Sequence, residues 1–239
     1  MMTSLASVMS FAAFPAVALL LGAGITFIRT PSAAVRSTVQ HFAAGLIFCV
    51  LATELLPDLV HRKMPFVTVI GFSAGVALML FLKWMGEQKA RVPAEKSSGS
   101  FLAAMGVDIV LDGILIGLSF SAGEKQGLLL TIAMVGEVFF LGVSCATSLG
   151  AMGKSKQNIA KVCASLSVGI CVGAAAGSVA LNSVKPAYID AMLAFGVAAL
   201  LYLVTEELLV EAHEVPETPF QTAMFFVGFI VLFIVEMII

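Results

Sequence analysis

The sequence predicts an all-α membrane protein of eight transmembrane helices, folded as a single transmembrane domain over residues 1–239. Three observations carry that prediction. Hydrophobic residues make up 60% of the chain and charged residues 12%, with a mean hydropathy of +1.06; soluble domains carry about twice that charged fraction. Eight apolar stretches, each near the roughly 20 residues needed to cross a bilayer, are separated by charged or Pro/Gly-containing breaks. The one tract polar enough to be a flexible loop, GEQKARVPAEKSSGS at residues 86–100, is too short for a second domain. A net charge of −2 gives no reason to expect nucleic acid or an acidic partner.

Taken in order, the spans fall at about 9–29, 37–60, 65–85, 101–121, 126–150, 158–182, 186–210 and 218–239. No basic segment precedes the first, and its apolar run is long enough to span, so it reads as a helix rather than a cleaved signal. RTPSAAVR opens the way to the second span, and HRKMP separates it from the third. The polar tract 86–100 separates the third from the fourth, and SAGEKQG the fourth from the fifth. MGKSKQN, NSVKP and EAHEVPETP close the fifth, sixth and seventh.

Alternate loops carry Arg29, Arg36, Lys83, Lys89, Arg91, Lys96, Lys154, Lys156 and Lys161 on one side and Arg62, Lys63, Lys125 and Lys185 on the other. The positive-inside rule places the richer side in the cytoplasm and both termini outside, as for a multi-pass protein of the cell (inner) membrane. The seventh loop is the exception: it lies on the cytoplasmic side yet holds only acids and His213. Cys49, Cys145, Cys163 and Cys171 all sit inside apolar runs with no CxxC pair, as buried small hydrophobes do.

Two spans carry carboxylates at mid-depth: Asp108 and Asp112 in GVDIVLDGILIG, and Glu137 in AMVGEVFFLGVS. No Lys, Arg or His lies in either stretch to neutralise them. A carboxylate at the bilayer centre costs roughly 2.5–3.5 kcal/mol on insertion scales, so such residues mark ion or proton pathways. Three without a cationic partner must hold protons or share a bound cation. Asp108 and Asp112 are four apart, on one helical face. Glu137 lies at comparable depth, about 11 residues into its span against about 7 and 11 for the aspartates. Gly106, Gly113 and Gly117 flank the pair and Gly136 and Gly142 flank Glu137, so close approach of the fourth and fifth spans is expected. The bland alternative is a protonated carboxyl cluster that only glues helices.

The second span ends in ATELLPDLVH and the seventh in TEELLVEAHE, and DxxxDG in the fourth is echoed by ExxxLG in the fifth. Similar pieces in opposed orientation are what inverted-repeat transporters show, with the site where the repeats meet.

On these residues the chain resembles the ZIP (Zrt/Irt-like) family of divalent metal transporters over nearly its whole length. HFAAGLIFCVLATELLPDL resembles the family's second span and LLYLVTEELLVEA its seventh, with the acidic-Glu-Leu pattern at Glu206, Glu207 and Leu208. The resemblance implies a ZIP-like eight-helix bundle with inverted repeats. It also implies a transport site in the fourth and fifth spans, where Asp108 stands at the first motif's histidine, Asp112 at its glutamate, and Glu137 at the second motif's histidine. Both motif prolines are replaced, by Leu111 and Phe140, the second glutamate by Leu141, and the asparagines by Ile109 and Val138. The sixth span has no carboxylate. A mononuclear, oxygen-rich site for Zn, Mn or Fe follows, with less bias toward Zn than imidazole would give. In the second span Ile47 stands where the family has a methionine that approaches the metal, with Cys49 two residues on.

Weaker candidates remain. His41 opens the second span, as an interfacial helix-end histidine or as part of an exit. Glu54 and Asp58 at one end, and Glu206, Glu207, Glu211, His213 and Glu214 at the other, read as solvated helix ends or as ion-attracting mouths. Glu236 reads as interfacial. The expected partners are the metal-ion substrate and the lipid bilayer, with a homodimer compatible with the fold, no prosthetic group and no nucleic acid. An enzyme is not expected: an intramembrane aspartyl protease needs two facing carboxyls, whereas Asp108 and Asp112 share one helix. The alternative is a proton-coupled permease for a non-metal substrate on the same scaffold.

Overall fold

In the computed structural model the described residues are 5–90, 97–180, 186–213, 216 and 218–239. They form eight long helical stretches, with no strand among them. These are α1 (Leu5–Ile28), α2 (Ala33–Arg62), α3 (Pro65–Ala90), α4 (Ser97–Ala122), α5 (Glu124–Ala151), α6 (Lys156–Ala180), α7 (Ala187–Ala212) and α8 (Pro219–Ile238). Among the described residues, α1–α3 and α5–α8 are long and apolar enough to cross a membrane, α3 through Pro65–Met85. α4 is 26 residues long, and the side chains of Phe101, Ala103 and Ala104 near its start lie outside the described set.

The helix ends follow from local chemistry. Ser32 caps α2, accepting from the Val35 N–H at 3.4 Å. Thr218 and Gln221 form a reciprocal capping box at α8, after which Pro219 takes the first turn where its missing N–H costs nothing. Lys63, with φ 55°, ends α2 in the left-handed region. The polar tract is shorter than expected: α3 continues through residues 86–90 and α4 begins at Ser97. Glu87, Gln88, Lys89 and Ala90 are good helix formers, so polarity alone does not stop the helix.

Two helices leave α geometry. α2 passes through a π-helical turn at Leu51–Leu55 and α7 through another at Leu203–Leu208. Each contains the Thr-Glu of the echoed motif, Thr53-Glu54 and Thr205-Glu206. Such turns arise where one residue more than an α-helix accommodates is inserted, and they gather at functional sites.

Bare-backbone seams set the packing. A Cβ at Gly22 would strike the Phe139 carbonyl and one at Gly142 the Leu19 carbonyl, so α1 lies against α5. Gly113 and Gly173 do the same reciprocally for α4 and α6, Gly45 and Gly228 for α2 and α8, while Gly71 and Gly75 bring α3 onto α7. This corrects one expectation. The glycines around Asp112 and Glu137 do not join α4 to α5: Gly113 and Gly117 face α6, Gly142 faces α1, and Gly136 faces Leu46 of α2. A glycine favours close approach but does not choose the partner. That choice follows from which glycine or alanine stripe opposes it.

Candidate functional site

α4 and α5 place the three expected residues near one another in the interior. Asp112 is 2% and Glu137 1% exposed, whereas Asp108, one turn before Asp112, is half-buried. Asp112 is close enough to Glu137 and Asp108 to feel the charge of each, and Glu137 feels Asp108 in turn. One carboxylate oxygen of Asp112 and both of Glu137 are buried without a hydrogen-bond partner. A buried polar atom left unmade costs on the order of 1–3 kcal/mol, more when charged. Among the described residues no Lys or Arg forms an ion pair with them. Among the described residues no three His, Cys, Asp or Glu stand close enough to hold a metal ion together. The three carboxylates are therefore neighbours rather than an assembled coordination shell.

A fourth acid belongs to this group. Glu207, on the π-helical turn of α7, lies within electrostatic reach of Asp108, Asp112 and Glu137 alike. Read from sequence it is a helix-end residue. The available signal was the extra glutamate in TEEL compared with TEL of the second span. Asp108 and Asp112 line a small cavity with Met79, Leu111, Ala199 and Leu203, which faces α3 and α7.

The two sides of the site differ. Toward the end of α4, Leu115 and Leu200 continue into a layer made with Leu55, Leu118, Leu130 and Val197. Beyond it lies an ionic knot. Lys125 Nζ is 2.9 Å from Glu54 and 3.8 Å from Glu236, the Gln126 amide donates to Glu54 at 3.0 Å, and Thr53 donates to Glu236. Glu54 is only 9% exposed, so it is not a solvated helix end, and Glu236 is held in the same network rather than free at an interface. On the other side a cavity of about 180 Å³ opens between α2, α5 and α7, lined by Arg36, Ser37, Gln40, Ser144 and Glu211. Phe140, one turn from Glu137, forms its inner wall. Glu206, Glu207 and Glu211 are exposed at this end.

Other expectations resolve individually. His41 is buried rather than interfacial: its ring bonds to the Ser37 carbonyl at 2.8 Å and lies 5.3 Å from that of His213. α2 begins eight residues earlier than His41, which places the ring two turns inside the helix. Cys49 is fully buried core and belongs to no group of three ligating side chains among the described residues. Asp58 pairs with Arg62 at 3.0 Å. Glu214 lies outside the described residues. Sequence reading passed over Asp190, which is completely buried, accepts from Thr68 at 3.2 Å and lies 3.8 Å from Arg62. It ties α7 to α2 and α3.

Compared with protein-family models and with curated proteins, the sequence finds no match.

Proposed function

We propose that this chain carries a divalent metal cation, Zn, Mn or Fe, across the membrane through one carboxylate-rich site formed by Asp108, Asp112 and Glu137, in a ZIP-like fold of eight spans. One observation carries the reading: three buried carboxylate oxygens, one of Asp112 and two of Glu137, have no partner. A fold bears that cost where a ligand or a proton is to be taken up. The echo of the helix pairings supports inverted repeats. Exchanging the first three helices with the last three, and α4 with α5, turns the α1/α5 seam into α6/α4 and α2/α8 into α7/α3. It also turns one π-helical turn into the other. The leucine layer and ionic knot on one side, against the polar cavity on the other, suit a state open to the cytoplasm with both termini outside. Transport then requires the carboxylates to draw together on the ion and release it toward that cavity.

The test is uptake of radioactive Mn²⁺ and Zn²⁺ into proteoliposomes. Asp112→Asn abolishes uptake while the protein stays folded, since loss of a buried charge eases insertion. Uptake equal to wild type removes the site. Combining Asp108→His with Glu137→His moves preference toward Zn²⁺, because imidazole suits Zn²⁺ better than carboxylate does. Unchanged Zn²⁺/Mn²⁺ competition counts against the hard-ligand reading. One observation favours a second reading, a proton-coupled permease for a non-metal substrate: among the described residues no three ligating side chains are assembled. Under that reading purified protein binds neither ion, and Asp112→Asn abolishes proton flux alone.

A further inference from the structure

Cys145 of α5 and Cys163 of α6 meet in the interior. Both are 0% exposed, and the Cys163 thiol donates to the Cys145 sulfur at 4.0 Å. Cys145 lies six residues before the end of α5 at Ala151 and Cys163 seven after the start of α6 at Lys156, so the pair sits near the hairpin between them. We propose that this pair is a two-coordinate binding site for a soft monovalent metal ion, Cu(I).

Two features point to that ion class. The first is the donor set. Thiolates select Cu(I), Zn and iron–sulfur centres, but Zn takes four ligands. Among the described residues there is no third His, Cys, Asp or Glu to complete such a shell. Cu(I) is content with two sulfurs. The second is spacing. A metal–thiolate bond is about 2.3 Å, so an ion held linearly between two sulfurs sets them about 4.6 Å apart. The pair has to open by about half an ångström from 4.0 Å. A disulfide, at about 2.05 Å, would require it to close by about 2 Å. The step itself balances with both thiols deprotonated, since the thiolate is the metal ligand: Cu⁺ binds both sulfurs, the two protons leave to water, and the site carries one negative charge. No electron is transferred.

The site is independent of the transport reading and is tested without it. Purified full-length protein in detergent, kept anaerobic with ascorbate, is titrated with Cu(I) against bicinchoninate. The expected result is one Cu(I) retained per chain, weakened at least about ten-fold in Cys145→Ser and in Cys163→Ser and unchanged in Cys49→Ser and Cys171→Ser. X-ray absorption on wild type, which needs no variant to fold, gives two sulfur neighbours and no nitrogen or oxygen. Equal retention by Cys145→Ala/Cys163→Ala, a coordination number of three or four, or a 145–163 disulfide by mass in the reduced protein each overturns the proposal.

Discussion

The π-helical turns of α2 and α7 carry nearly the same residues and meet opposite fates. In α2, Glu54 is enclosed by Lys125 and Gln126 of α5 and linked through them to Glu236 of α8. In α7, Glu206 reaches Lys83 at 3.3 Å on the surface, with both side chains nearly half exposed, and Glu207 lies within electrostatic reach of Asp108, Asp112 and Glu137. The local chain therefore supplies a carboxylate on a distorted helix in both places. What differs is burial: Glu54 is only 9% exposed, whereas Glu206 meets Lys83 at the surface. At one end the ion pairs lie beyond a leucine-lined cavity, while at the other Glu211 lines a polar cavity.

Three predictions break or sharpen this contrast. The largest effect is expected from Lys125→Met, which leaves Glu54 buried without its cation. Thermal unfolding in detergent should show a loss of about 1–3 kcal/mol. A cysteine placed by Ser119→Cys, in the wall of the leucine-lined cavity, should then become reactive to a membrane-impermeant thiol reagent added from that side. Unchanged stability and no labelling would mean that the knot closes nothing. Second, Glu207→Gln should weaken Mn²⁺ binding about five- to ten-fold, on the order of 1 kcal/mol, by removing a nearby charge without removing a ligand. Glu206→Gln should change it by about two-fold or less. Equal effects of the two would erase the distinction between neighbouring acids. The smallest effect belongs to Lys83→Met, because exposed pairs contribute about 0–1 kcal/mol. A loss as large as that of Lys125→Met would show that the two ends are not different after all.

The spans were readable from sequence because about 20 apolar residues with charged punctuation have few other uses, and seven observed helices fall within about four residues of their expected limits. The shared face of Asp108 and Asp112 was readable too, being fixed by a spacing of four. Partner choice was not. Gly113 and Gly142 announce close approach, but whether α4 meets α5 or α6 depends on residues far along the chain, as in the contact of Gly113 with Ile170, 57 positions away. The same holds for Glu54, whose burial depends on Lys125 and Gln126, and for Asp190, whose cation comes from the far end of α2. Short-range pattern sets what a helix offers. Long-range packing decides what accepts it.

The seams also fix a timetable. None of the four pairs joins neighbours in the chain: α1 waits for α5, α2 for α8, α3 for α7 and α4 for α6. At about 5–20 residues per second of synthesis, Gly45 precedes its partner Gly228 by roughly 10–40 s. Throughout that interval a stripe of side-chain-free backbone on α2 faces lipid or the insertion machinery, with nothing shaped to fit it. The newborn chain must therefore be sheltered or provisionally paired until its last helix arrives, and release before α8 strands the second helix unmatched.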